Sequence, residues 1–268
     1  MKKSILGLLT LMAMSPAGAE WALNMPRGVT ELSAETYDLH MMVFWWCVGI
    51  GVVVFGVMII SLIKHRKAAG VEPAKFSHST AAEIIWTIIP VAILLVMAVP
   101  AAETMIRLED TRNPDVTIVA TGYQWKWHYK YQDEGVEFYS TLARPSAEAR
   151  RLNSGIEAAS VDNYLLDVDR PLVVPKGKKI RLLVTSNDVL HAWWVPDLAI
   201  KKDAIPGMVN ETWFRPMETG TFRGQCAELC GKDHGYMPIV VEVVEPDAYQ
   251  AWIETRNDSG TRVAQMEN

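Results

Sequence analysis

Cysteine is scarce, at three in 268 residues. No two of them stand as C-x-x-C, so a redox dithiol or zinc ribbon is excluded, and C-x-x-C-H is absent, so no haem is covalently attached to this chain. No internal repeat recurs, which sets aside solenoids and propellers. A basic excess is missing too: from Asp115 onward seventeen basic residues face twenty-two acidic ones. That balance offers nucleic acid no cationic face. It favours a basic partner at low salt without identifying one. Charge is wholly absent from two long runs, Met41 to Ile63 (MMVFWWCVGIGVVVFGVMIISLI) and Ile84 to Ala102, each about the length that crosses a bilayer core.

What is present divides the chain into an anchor and a head. MKKSILGLLTLMAMSPAGAEW opens with Lys2 and Lys3, continues apolar, and ends on the small triplet Ala17-Gly18-Ala19; it reads as a signal peptide, residues 1–19, cleaved before Glu20. Residues 20–105 then form a membrane anchor with spans at about 41–63 and 84–102. The second span carries Pro90 and Pro100, which neighbouring helices can accommodate. The loop between them holds Lys64, Arg66, Lys67 and Lys75 and faces the cytoplasm by the positive-inside rule. A translocated signal and two crossings put everything after about 105 outside. There the pattern turns to short apolar or alternating runs between Gly, Pro, Asn and Asp, predicting an all-β antiparallel sandwich or barrel over 106–250. Residues 144–166 are polar and Ala-rich, an insertion that is partly helical at best. A short helix after Pro246 (DAYQAWIETR) and a tail fill 251–268.

Most of the chemistry sits in GQCAELCGKDHGYM, Gly224 to Met237. Cys47 belongs to the first span and reads as packing. Cys226 and Cys230 lie in an oxidising compartment, so one reading is a disulfide that staples a small loop in a membrane-anchored binding module. The other starts from Cys230, His234 and Met237. A thiolate, an imidazole and a thioether completed by a distant histidine is the ligand set of a copper electron-transfer site on a β-sandwich. His191, in DVLHAWWVP after the strand KIRLLVTS, is that distant candidate. A single ion leaves Cys226 unused. If both thiolates bridge two copper ions the count closes: His191 and His234 serve one each, Met237 is one axial donor, and a backbone carbonyl between the cysteines is the other.

These residues, with DAIPG at Asp203 to Gly207 and YQWKW at Tyr123 to Trp127, resemble subunit 2 of the haem-copper cytochrome c oxidases over nearly the whole chain. The resemblance implies a cupredoxin domain with a dinuclear copper centre that takes electrons from cytochrome c and passes them to haem in the catalytic subunit, where O2 is reduced and protons are pumped. It implies Cys226 and Cys230 as bridges, His191 and Met237 on one copper, and His234 with the Glu228 carbonyl on the other. The Glu228 side chain would reach a magnesium or manganese ion shared with the catalytic subunit. Trp125 would be the electron port and Glu83 the cytoplasmic mouth of a proton path, although Glu83 also fits as an acid in a first helical turn capped by Ser79 or Thr80. Other partners implied are further oxidase subunits and the lipid of a bacterial inner membrane, with the copper domain on the periplasmic side. Asp188, Asp203, Asp133 and Glu134 are candidates for steering a basic cytochrome. Lys130 departs from the family, standing where many members carry a docking acid. Quinol-oxidising relatives lack the copper ligands, and the copper domain of nitrous oxide reductase belongs to a soluble enzyme with a large extra domain; neither pattern fits.

Overall fold

A computed structural model describes residues 24–72 and 77–266, with side chains as far as Arg256. The expected signal segment and Lys75 of the basic loop lie outside the described residues. Helix α1 runs Glu31–Lys64 and helix α2 runs Thr80–Leu108. A capping box starts α1: the Ser33 N–H donates to Thr30 Oγ1 and the Thr30 N–H to Ser33 Oγ, both at 2.9 Å. Ser79 Oγ caps α2 by accepting from Ala82 N–H.

Both helices outrun the charge-free spans. At 34 residues α1 is about 50 Å long, against a hydrocarbon core of about 30 Å. The excess points toward the head, where polar outer turns bind it. Arg107 at the end of α2 pairs with Glu31 at 2.8 Å and with Glu35, and Arg215 of the head reaches Glu31 at 3.5 Å. Thr30 Oγ1 donates to the Leu198 carbonyl, and the Val29 N–H to that of Asp197. Farther out, the most apolar windows of the helices reach mean hydropathies of 2.6 and 2.5, and no residue in them is buried within the chain. Cys47 accordingly faces outward rather than packing inside the chain as expected.

The head is a two-layer β-sandwich. One sheet has the order β3-β2-β1-β5-β8: β1 is Val116–Tyr123, β2 Lys126–Tyr131, β3 Glu137–Ser140, β5 Ile180–Ser186 and β8 Asn210–Phe214. The other has the order β4-β10-β9-β6-β7: β4 is Leu172–Pro175, β6 His191–Val195, β7 Ile200–Ala204, β9 Gly220–Cys226 and β10 Pro238–Val244. Strand β5 shows why the sheets stack: Ile180, Leu182 and Val184 alternate inward with no exposed surface, while Arg181 and Thr185 face out. Trp127, Tyr129 and Tyr131 of β2 are likewise buried beside Trp193 and Phe214.

Two pairings overturn the all-antiparallel expectation, since β1 runs parallel to β5 and β4 parallel to β10. Parallel neighbours need long crossovers, and β2, β3, the insertion and β4 supply one between β1 and β5. Within the insertion only α3, Arg144–Ala149, and a 3-10 turn at Ala158–Ser160 are helical. Helix α4, Pro246–Met266, extends well beyond the short segment expected. Its first turns seal the sandwich, with the Tyr249 and Trp252 rings 6.5 and 5.4 Å from that of Tyr131.

Candidate metal centre

Strand order brings three separate chain segments to one end of the sandwich. Strand β6 begins at His191, and its neighbour β9 ends at Cys226, with Trp193 opposite Cys226 in register. The loop from Ala227 to Met237 then returns to β10, where Pro238 faces Gln225. The two-residue turn between β1 and β2, Gln124–Trp125, closes over that loop.

The expected ligands converge. His191, Cys226 and Cys230 are buried, and their donor atoms lie within 4.8 Å of one another. The His191 Nδ1 is 3.8 Å from Cys226 Sγ, and the two sulfurs are 3.9 Å apart. His234 Nδ1 and Met237 Sδ each stand 3.5 Å from Cys230 Sγ. The Glu228 carbonyl oxygen is 3.3 Å from Cys226 Sγ, while the residue as a whole is exposed. Both cysteines are free thiols.

Three supports were not foreseen. The first is Asp188, expected to steer a partner and exposed, which also binds inward: its Oδ1 lies 2.9 Å from His191 Nε2 and its Oδ2 accepts the Gln124 N–H at 2.7 Å. An acid three residues before a candidate ligand was the available signal. The second is Gly122, whose backbone the imidazole lies against; a Cβ built there would meet His191 Cδ2 at 2.7 Å. Across β1 and β2, its register partner Trp127 contacts the same ring edge-on at a centroid distance of 6.0 Å. Gln124 is the third, its side-chain amide donating to the Cys230 carbonyl at 2.8 Å.

Trp125 is half-buried, and its indole N–H donates to that same carbonyl at 3.2 Å. Of the expected docking acids, Asp188 bonds the Gln124 N–H beside it, whereas two others lie elsewhere. Asp133 and Glu134 occupy the β2–β3 turn, at the opposite end of β2 from Trp125, and Glu134 accepts from the Tyr249 hydroxyl. Asp203 is exposed on β7 opposite Ala192, the residue after His191. Lys232 Nζ lies 5.5 Å from the Trp125 ring centre, whereas Lys130 is exposed near the far end of β2, opposite Glu137. Glu83 is exposed in the first turn of α2, where Ser79 has taken the capping role.

The electrostatics favour a cation between the sulfurs. Burial by itself raises the Cys226 thiol, but hydrogen bonding with His191 and the Ala192 backbone outweighs it, and the pKa is lowered. Burial, together with the charge of Cys226, pushes Cys230 up to about 12. The chain alone thus shifts the two thiols in opposite directions, and a bound metal ion would favour the thiolate form of both. Soft sulfur and imidazole donors are the set that copper takes. The carboxylate behind His191 is the usual second partner of a metal-ligating imidazole.

The comparisons agree with this geometry. The family described as cytochrome C oxidase subunit II, periplasmic domain, matches residues 116–244, and its transmembrane domain matches residues 18–103. A probable cytochrome c oxidase subunit 2 of Rickettsia bellii is 37% identical over 238 residues, covering 88% of this chain and 85% of that protein. Cytochrome c oxidase subunit 2 of Cereibacter sphaeroides is 40% identical over 201 residues, 71% of this chain and 65% of that one. The crystal structure of the periplasmic domain of subunit II of cytochrome oxidase of Bradyrhizobium japonicum is 44% identical, covers 56% of this chain and 98% of its own, and gives a TM-score of 0.49. With its two-pass apolar anchor and cupredoxin-like head, the chain belongs to the cytochrome c oxidase subunit II family.

Proposed function

We propose that this chain is the electron-accepting subunit of a proton-pumping haem-copper oxidase, taking electrons from cytochrome c at a pair of copper ions and delivering them to haem in the catalytic subunit. The observation that carries the reading is the convergence of two free thiols, two imidazole Nδ1 atoms, one thioether and one backbone carbonyl at the end of a buried sandwich. Two copper ions held there would supply one-electron storage with little change of shape.

The residues divide the work. Cys226 and Cys230 would hold both ions, His191 and Met237 one of them, and His234 with the Glu228 carbonyl the other. Asp188 accepts from His191 Nε2–H, which leaves Nδ1 free as the donor and fixes the ring plane. Trp125 is the electron port, because its indole N–H joins it to the carbonyl of a bridging cysteine. The Glu228 carboxylate, turned from the sulfurs, suits a hard magnesium or manganese ion shared with the catalytic subunit. The head lies on the periplasmic side of a bacterial inner membrane, and other oxidase subunits cover the outward apolar faces of α1 and α2. Glu83 opens a proton path on the cytoplasmic side. Proton uptake coupled to haem reduction should fall in Glu83→Ala, and unchanged uptake leaves the residue as a helix-end acid only.

The central test is copper quantification with electron paramagnetic resonance on the full chain. Two copper ions per chain with one unpaired electron shared between them are expected, and Cys226→Ser or Cys230→Ser should abolish that signal while the chain stays in the membrane. One ion per chain, or a Cys226–Cys230 disulfide with no copper, refutes the reading.

A further inference from the structure

His234 stands on a turn too short to hold itself. It opens a three-residue 3-10 turn, His234–Tyr236, that lacks a side-chain cap, and Gly231 precedes it at φ 119°. A single 3-10 turn brings little stability of its own, yet a ligand on it has to stay within fractions of an ångström. The bracing comes from the insertion. At the C-terminal end of α3, Arg150 sends its guanidinium to Asp233, with Nη1 3.1 Å from Oδ1 and Nη2 3.4 Å from Oδ2. The same guanidinium carbon sits 3.9 Å from the centre of the Tyr236 ring. One planar cation thus grips the residue before His234 and the residue two after it.

The other end of the brace is fixed. Arg150 N–H donates to the Ser146 carbonyl at 3.0 Å. Ser146 is buried, and its hydroxyl accepts the Leu165 N–H at 3.0 Å. The Ala143 N–H donates to Asp167, and the Thr141 N–H to the Asp169 carboxylate. Both ends of the insertion are therefore tied to each other, and Arg150 is the group that spans from it to the metal loop. A planar fork that also stacks is a job arginine does and lysine does not.

We propose that Arg150 is a positioning residue for the metal centre, and that the insertion at 144–166 is a strap holding the His234 turn in its ligating geometry. This rests on the copper reading above. Removing an outer partner of a metal ligand costs ten- to a hundred-fold in affinity. Acting through Asp233 and Tyr236, Arg150 belongs at the low end, about 10-fold.

The full-length copper-loaded chain tests it. Arg150→Gln should release copper to a chelator about 10-fold faster and alter the copper hyperfine pattern, with Arg150→Lys between it and the parent. Arg144→Gln removes an exposed ion pair with Glu148 in the same helix and should leave both readouts unchanged. In the metal-free chain, amide exchange over 231–236 should quicken in Arg150→Gln. The proposal is overturned if Arg150→Gln lowers only the melting temperature while copper release, spectrum and loop exchange match the parent. Should that variant not fold, Asp233→Ala removes both acceptors of the same contact and is read by the same outcomes. If the parent takes up no copper the functional reading fails, while loop exchange in the metal-free chain still decides whether the strap exists.

Discussion

Gly122→Ala sets two effects of opposite sign against each other. Gly122 lies within strand β1, so alanine costs nothing there in backbone conformation and narrows the unfolded ensemble, a gain of about 0.4–1 kcal/mol. Against this, the new methyl would sit 2.7 Å from His191 Cδ2 and 2.9 Å from its Cγ. The ring has to retreat by roughly an ångström to reach ordinary contact distance. It has nowhere to go, since His191 has no exposed surface, Trp127 abuts it, and Asp188 holds its far nitrogen. Overpacking of this kind costs about 1–3 kcal/mol, so the clash wins by about 1–2 kcal/mol. For a head of this size that lowers the melting temperature by about 2–4 °C for each kcal/mol. The metal should feel it more than the fold does, with weakened copper binding and a shifted copper spectrum. Gly235→Ala, where a Cβ meets nothing within 4 Å, is the internal control and should leave both unchanged. Thermal denaturation of the metal-free chain and copper titration of both variants check the reasoning. A Gly122→Ala chain as stable as the parent with an unaltered spectrum refutes it.

Trp125→Phe should keep both copper ions, read by their optical spectrum, and slow reduction by cytochrome c in stopped flow; unchanged reduction removes the indole from the route. Lys130→Glu reverses two units of charge on the exposed face of β2, at about 0.4 kcal/mol each for a charge 10 Å away in water. Reduction by a basic cytochrome should quicken roughly four-fold at low salt, and the gain should vanish at high salt, where screening sets in well inside 10 Å. Asp115 accepts the Lys179 N–H at 2.8 Å, and that bond holds its carboxyl below the usual range. A depressed folded-state pKa stabilises above the unfolded value near 3.9 and is lost as pH falls below it. Asp115→Asn should therefore be less stable than the parent at pH 7, with the gap closing on acidification in pH-dependent melting.

Most of the centre was legible because its ligands are nearly contiguous. Cys226, Cys230, His234 and Met237 share one loop, and their types carry the chemistry without reference to the fold. His191 stood out as a histidine at the start of an apolar run. The anchor showed itself through charge-free length, although its helices proved longer because Glu31, Glu35 and Arg107 belong to turns that grip the head. What escaped was everything that depends on distant residues meeting. Periodicity gives the face of a strand but not its neighbour, so the parallel pairs β1–β5 and β4–β10 were invisible. Asp188 reads as a surface acid until the fold turns it onto His191, and Arg150 is one charge among several until α3 is laid across the metal loop. The length of α4 was missed because its second half lacks the apolar spacing that marks a buried helix.

The clasp at the head of the two long helices has a consequence for speed. Tunnelling probability decays exponentially with the gap to be crossed, so a wobbling domain would deliver charge at a rate dominated by its rare closest poses. Thr30 on the Leu198 carbonyl and Glu31 shared by Arg107 and Arg215 tie the head to the helix ends, so that an electron relayed as proposed would meet less of that wobble.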